Sequence, residues 1–370
     1  MIVILTLYYL LGEVMPLLDQ KKSLAKDLRR SCMRNRLAAT TLSAHYIAPP
    51  FSVFDSRQGY WQARKRQWMS LGIQSELGRG ANLLVTGDGS VMNGTSDWAG
   101  NRGSKVSPGG QPRPAMRLGK DGRTRLRDGY GRPTDSAAQG TGTSIFDPVL
   151  CELIYRWFCP KGGRIIDPFA GGSVRGVTAA VLGAYYTGID LSEAQVHANR
   201  IQAKSIVPDN LPNWVTGDSL DVRKLAGNVK YDLIFSCPPY FDLEQYSDHP
   251  ADLSNMSPDE FLAVYRKIVK RVVSLLKDDR FACFVVGNVR GRDHYYRNLP
   301  LETVHAFEDA GCRLYNDAIM LTAIGSLPLR VRRQFDSNRK LGMTHQSVLV
   351  FCKGDYASAA AASIGSETNG

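Results

Sequence analysis

From Ser144 to Asp355 the chain alternates short apolar runs with segments of helical period, and that alternation limits the fold more than any other feature. The spacing predicts strands over 163–167, 184–190, 214–216, 232–236, 281–286, 317–321 and 347–353. Helices are predicted over 148–158, 170–182, 192–204, 258–276 and 299–310. Strands that alternate with helices imply an α/β fold with a doubly wound, mostly parallel sheet, here seven-stranded and covered on both faces. Ligands of such a sheet sit beyond the carboxyl ends of its strands, where the strand order reverses.

Three of those strand ends carry an acid. The first runs into Asp167-Pro168-Phe169-Ala170-Gly171-Gly172-Ser173, a turn whose paired glycines let backbone approach a ligand and open a helix. It lacks the spaced glycine fingerprint of nicotinamide sites, and a pyrophosphate would be repelled by Asp167. A cationic ammonium would be welcome there. Asp190, followed by Leu191, ends the second strand, where a carboxylate accepts from ribose hydroxyls. Asp218, followed by Ser219, ends the third and is placed to accept from an adenine amine. Any one of these acids alone is more often a loop or cap residue. An ammonium, a ribose diol and an adenine amine together are the polar handles of S-adenosyl-L-methionine, the cofactor expected here.

The fourth strand turns into Cys237-Pro238-Pro239-Tyr240. Two prolines stiffen the chain and remove two N–H donors, so the turn offers carbonyl acceptors and one aromatic ring. That suits a flat base bearing an amino group. The carbonyl of Pro238 and the side chain at 237 would accept the amine hydrogens, while Tyr240 stacks on the ring; positioning and electrostatics then carry the reaction.

DPFAGGS, GID, GDS and SCPPY resemble successive motifs of the DNA amino-methyltransferases that make N6-methyladenine or N4-methylcytosine. SIFDPVLCELIYRWF resembles their motif for the methionine end of the cofactor, which implies Phe146 as a further cofactor contact. PPFSVFDSRQGYWQARKRQW, SCPPYFDLEQYSDHPADLSNMS and QFDSNRKLGMTHQSVLVFCKGD are similar to a phage- and prophage-type subgroup. The resemblance implies a Rossmann-like methyltransferase domain that acts on a base extruded from DNA. One departure is Cys237, where the wider family has Asp, Asn or Ser; a thiol is a weak acceptor. Adenine and cytosine remain open as targets, as do an RNA amino-methyltransferase, a non-catalytic regulator binding the cofactor and DNA, and a thiolate route to C5 of cytosine.

Lys and Arg outnumber Asp and Glu by 46 to 35, a surplus that suits a nucleic-acid partner or simply solubility. Seven cysteines without a CxxC pair argue against a disulfide scaffold or zinc site and for a reducing, cytoplasmic setting. Residues 1–19 form an apolar extension whose uninterrupted run ends at Leu11, too short to span a membrane. It lacks the basic start and cleavage site of a signal peptide, and Met15 begins a more ordinary start, so the first fourteen residues are expected to be dispensable. Residues 20–78 are expected as a small N-terminal region. Its helix over 58–71 interleaves Tyr60, Trp61 and Trp68 with Arg64, Lys65 and Arg66, either for nucleic acid or as a packed helix with a basic side. Residues 79–143 read as a flexible basic linker, with nine Lys or Arg and two Asp from Arg102 to Arg132. Residues 144–356 form the catalytic domain, and 357–370 a disordered tail. Between Ile324 and His345 the chain leaves the sheet as a long loop carrying Arg330, Arg332, Arg333, Arg339 and Lys340, which are expected to hold DNA phosphates beside the pocket.

Overall fold

The computed structural model describes residues 20–21, 23–29, 41–74, 117–118, 124–125, 146–227, 229–241, 247, 249–291, 293–322 and 327–364. The chain divides into two units, residues 1–79 with 144–370, and residues 80–143. In the second, the described residues are an antiparallel pair, Arg117–Leu118 with Thr124–Arg125. The rest of the basic linker, the apolar extension and the last six residues lie outside the described residues.

The first unit holds an eight-stranded sheet: β1 (Val53–Asp55), β2 (Arg164–Asp167), β3 (Tyr185–Asp190), β4 (Asn213–Thr216), β5 (Tyr231–Ser236), β6 (Leu276–Val286), β7 (Cys312–Leu321) and β8 (His345–Lys353). From one edge the order is β1-β7-β8-β6-β5-β2-β3-β4, and only β8 runs antiparallel to its neighbours. The chain winds outward from β2 through β3 to β4, then restarts with β5 on the other side of β2. The switch point therefore lies between the carboxyl ends of β2 and β5, the place where sheets of this kind bind their ligands. This is the doubly wound α/β layout with one strand more than expected. The eighth, β1, comes from the N-terminal region and pairs with β7 through Val53↔Ile319 and Asp55↔Leu321.

Eight of the helices are α1 (Gly59–Met69), α2 (Pro148–Phe158), α3 (Val174–Leu182), α4 (Glu193–Ile206), α5 (Pro258–Val273), α6 (Leu299–Glu308), α7 (Leu327–Asn338) and α8 (Tyr356–Ile364). Their starts follow local chemistry. Asp147 accepts from Val149 N ahead of Pro148, and Ser257 with Glu260 closes a capping box on α5. All six residues of β5 are buried, and they alternate between two cores. Leu233 and Phe235 join α2, α3 and the N-terminal residues, while Ile234 joins α5 and α6. Gly176 on α3 sits where a Cβ would lie 2.4 Å from the Trp214 ring, so a bare backbone is needed for α3 to meet the sheet.

Three expectations are corrected and one open reading is decided. Of the two readings of α1 the packed helix holds, since Trp61 and Trp68 are fully buried. Arg64 is also taken, donating to Glu152 at 2.5 and 2.8 Å. Residues 357–364 are not a free tail, since α8 packs on the sheet and α2 with Ala359 and Ser363 buried. The connection before β8 is not an open loop, because α7 occupies twelve of its residues. Finally, β6 and β7 begin five residues earlier than their apolar runs, at Leu276, which pairs with Tyr231 of β5, and at Cys312, which pairs with Lys353 of β8.

Glu152 ties the N-terminal region to α2. Fully buried, it accepts from Arg64, from Arg156 at 2.9 Å and from Trp68 Nε1 at 2.7 Å. Burial opposes its charge, but Arg64, Arg156 and Trp68 outweigh it and hold its pKa below the ordinary 4.5. A depressed folded value means that its stabilisation is complete above about pH 4.5 and is lost as pH falls through the folded pKa. Glu152→Ala strands two arginines and is expected to cost about 3–5 kcal/mol in urea unfolding at neutral pH. Below pH 4.5 the gap between wild type and Glu152→Gln should narrow; a gap independent of pH would show that the carboxylate charge is not what holds the region down.

Candidate active site

The turn after β2 is built on a buried ion pair. Asp167 is fully buried, and its oxygens accept from Arg175 Nε at 2.6 Å, Tyr186 Oη at 2.7 Å, Ser236 Oγ at 2.5 Å and Phe169 N at 3.1 Å. Burial disfavours the charge on Arg175, yet Asp167 beside it raises the guanidinium pKa above its ordinary value. The same guanidinium donates to the carbonyls of Phe169 and Ala170, and lies 4.7 Å from the Phe146 ring centre. Asp167 was expected to receive a ligand ammonium. It is instead closed off, and its carboxylate serves to join β2, β3, α3 and the start of the β5 turn.

What faces outward is held by that anchor. Gly171 takes φ +50° and donates N–H to Asp190 Oδ2 at 2.8 Å, while Asn199 donates to Gly171 O at 2.8 Å. Ala170 N donates to Ile189 O at 2.9 Å, and the contact needs Gly188, where a Cβ would stand 2.8 Å from that of Ala170. Pro168, Ala170 and Gly172 are buried and shape the turn; Phe169, Gly171 and Leu191 are partly exposed. Phe169 extends an aromatic wall, its ring 6.2 Å from Tyr265 and 6.3 Å from Phe284.

The other two acids remain partly exposed. Asp190 Oδ1 accepts from Ser192 N at 2.8 Å, and Asp218 Oδ1 from Leu220 N at 2.8 Å. Gly217 N donates to Asp190 O at 2.9 Å, so the ends of β3 and β4 are stitched side by side. Ser219 is buried and its hydroxyl donates to Pro168 O, which makes it a brace of the turn more than a ligand contact. Phe146, Phe169, Gly171, Leu191, Asp190 and Asp218 thus stand around one edge of the sheet.

Ser236, the last residue of β5, carries the anchor into the second half of the site. The Cys237 Sγ lies 3.4 Å from Tyr240 Oη, and that hydroxyl accepts from Gln346 Nε2 at 3.2 Å. Pro238 is buried, while Cys237, Pro239 and Tyr240 are partly exposed. Gly287 lets the Tyr240 ring lie close, since a Cβ there would be 3.0 Å from it. Phe241 follows with φ +53°, buried and stacked on Phe261 at 4.2 Å. Gln346 was not foreseen. Its signal was the antiparallel last strand, whose first residues return to the catalytic edge.

The arm between β7 and β8 leaves from Leu321 at that same edge and returns at His345. On α7 and just after it Arg332, Arg333 and Arg339 are exposed, and Lys340 is partly so. Arg332 sits 3.9 Å from Asp336 in a loose exposed pair, and Arg339 covers Phe335 at 5.2 Å. The Arg330 side chain lies outside the described residues. Among the described cysteines none is in a disulfide, and Cys237 alone is not buried. No cluster of metal-ligating side chains and no helix long and apolar enough to cross a membrane occurs among the described residues.

No family model matches the sequence. A stretch of 114 residues is 27% identical to the release factor glutamine methyltransferase of Fusobacterium nucleatum, covering 29% of this chain and 31% of that one. The chain thus spans about a third of the length of the curated relative it matches. Among solved structures, TrmN from Thermus thermophilus aligns over 56% of this chain and 49% of its own at 16% identity, with a TM-score of 0.38. A methyltransferase from Pyrococcus furiosus aligns over 57% and 85% at 14% identity, also with a TM-score of 0.38.

The Arg175–Asp167 pair makes a direct test of the site's construction. Arg175→Ala leaves a buried carboxylate without its cation and is expected to cost about 3–5 kcal/mol in denaturant unfolding. Asp167→Ala should cost a similar amount, and the double substitution clearly less than the sum of the two. Additive losses would mean that the two side chains do not act as a unit.

Proposed function

We propose that this chain is an S-adenosyl-L-methionine-dependent methyltransferase that modifies the exocyclic amine of adenine at N6 or cytosine at N4 in DNA. The observation that carries the reading is the Cys237–Tyr240 turn at the end of β5, tied through Ser236 and Asp167 to the glycine turn across the switch point. An acceptor-rich, proline-stiffened turn with an aromatic ring is thereby held beside the glycine turn and the strand-end acids.

The residues present fit the cofactor. Asp190, partly exposed at the end of β3, would accept from the ribose hydroxyls, and Asp218, with one oxygen engaged by an amide, from the adenine amine. Phe169 would line the adenine side, and Phe146 the methionine side. When bound, the cofactor supplies an electrophilic methyl group. The protein's share is to hold the amine. The Pro238 carbonyl and the side chain at 237 accept its hydrogens, which turns the nitrogen lone pair out of conjugation with the base. Tyr240 stacks on the base, and Gln346 fixes the direction of its hydroxyl. In a duplex the base must first be extruded. Arg332, Arg333 and Arg339, with Lys340, then meet the flanking phosphates, and Arg330 belongs to the same basic run.

The decisive experiment is incubation with labelled cofactor and either DNA or RNA, followed by mass spectrometry of the digested nucleosides. N6-methyladenine or N4-methylcytosine from DNA is expected; label in RNA alone, 5-methylcytosine, or no transfer would each sink the reading.

Three sets of variants refine it. Asp190→Ala should weaken cofactor binding by roughly 1–3 kcal/mol in calorimetry. Tyr240→Ala should lower turnover with cofactor affinity nearly intact, and Cys237→Ser should keep or raise amine methylation. A covalent enzyme–DNA adduct in the wild type, lost in Cys237→Ser together with activity, would establish the thiolate route instead. Neutralising Arg332 and Arg333 together should weaken DNA binding at every sequence and flatten its salt dependence by a slope of about 1 per lost phosphate contact. An unchanged slope would show that α7 does not touch the backbone.

A further inference from the structure

The segment after β6, NVRGRDHYYRN, has no role in the site described so far. It leaves the sheet at Gly287, the residue that packs against Tyr240, so it rises from the catalytic edge. It then folds back on itself as a small hairpin. Arg290 and Tyr296 form an antiparallel bridge; Gly291 N donates to Tyr295 O at 2.9 Å, Arg297 N to Val289 O at 2.8 Å and Asn298 N to Asn288 Oδ1 at 3.1 Å. His294 N closes the tip on Gly291 O at 2.9 Å. The backbone is therefore ordered by its own bonds, without help from a partner.

Its side chains are arranged as aromatics between cations. The Arg290 guanidinium lies 3.8 Å from the Tyr296 ring centre and donates to His294 O at 3.0 Å. Arg297 lies across Gly291, where a Cβ would come within 2.4 Å of its guanidinium, and its buried Nε has no hydrogen-bond partner. Tyr295 is 76% exposed, the most exposed large apolar side chain among the described residues. A ring held in water on a preordered hairpin that also carries two arginines is a surface on which an unpaired base can stack while nearby phosphates are neutralised.

We propose that this hairpin is a second DNA contact, in which Tyr295 stacks on a base beside the extruded one and Arg290 and Arg297 meet the adjoining phosphates. The inference rests on the DNA methyltransferase reading. The hairpin springs from Gly287, which packs on Tyr240: removing one base from the stack exposes the faces of its neighbours, and a ring on a projection rooted there can cover one of them. Tyr295 then favours the opened duplex over the closed one, so it contributes to extrusion as well as to affinity.

The test uses the full chain and a short fluorescein-labelled, unmethylated duplex of mixed sequence, read by anisotropy, with cofactor affinity measured alongside. Tyr295→Ala should bind the duplex about tenfold more weakly, and Tyr295→Trp within about twofold of wild type, because stacking depends on the ring and not on the hydroxyl. Cofactor affinity should be unchanged in both, since the side chain is exposed and outside the crevice. Arg290→Gln should reduce the salt slope by about 1. Wild-type affinity in Tyr295→Ala, or equal losses in the alanine and tryptophan variants, would overturn the stacking role while leaving the methyltransferase reading intact. Failure of the wild type itself to bind the duplex would overturn both, and it is read from the wild type alone.

Discussion

The carboxylate of Asp167 is the point on which the rest of the site depends. Four donors converge on it, from the turn that it opens, from α3, from β3 and from the end of β5. A buried ion pair adds little net stability compared with a well-packed apolar pair, because both charges give up water. Its value lies in specification. Arg175 reaches two turn carbonyls as well as the acid, and Ser236 ties the Cys237–Tyr240 turn to the other oxygen of the same carboxylate. The two turns are consequently referenced to one side chain, which is the kind of preorganisation that catalysis by positioning requires.

Sheet topology does the remaining placement. Parallel strands deliver Asp167, Asp190, Thr216 and Ser236 to one edge, and the antiparallel β8 starts there, which is how Gln346 arrives beside Tyr240. The same edge receives the long connections after β6 and β7. Both are basic, whereas the strand ends and turns of the site carry acids and aromatics.

The parallel core was legible because buried strands such as 231–236 are apolar on both faces, and helices such as 258–273 announce their caps. The parts that escaped were of a different physical kind. β1 is three residues long, and residues 313–317 of β7 are all exposed; both exist through backbone bonds to a neighbour that no local pattern reveals. The tail from 356 reads as low in complexity, yet alanine is the best helix former and Ala359 is small enough to reach the sheet. Aromatics beside arginines in α1 gave two readings, and only long-range burial against Glu152 chose between them. Asp167 was placed correctly at the strand end but assigned the wrong partner, because Arg175 is eight residues on and Ser236 sixty-nine.

Phe241 shows what these constraints mean for change over time. Its φ of +53° is a conformation that a bulky side chain occupies at a cost of about 1–2 kcal/mol, and the stack on Phe261 offsets it from outside the pocket. The bend of the turn is therefore supported by the core behind it, and not by the side chain at 237. Position 237 can drift among small side chains without disturbing the bend, whereas position 241 cannot change unless its packing partner changes too. Divergence among proteins built this way should accordingly be permissive at the reactive position and conservative just beyond it, the reverse of the order in which chemistry alone would rank them.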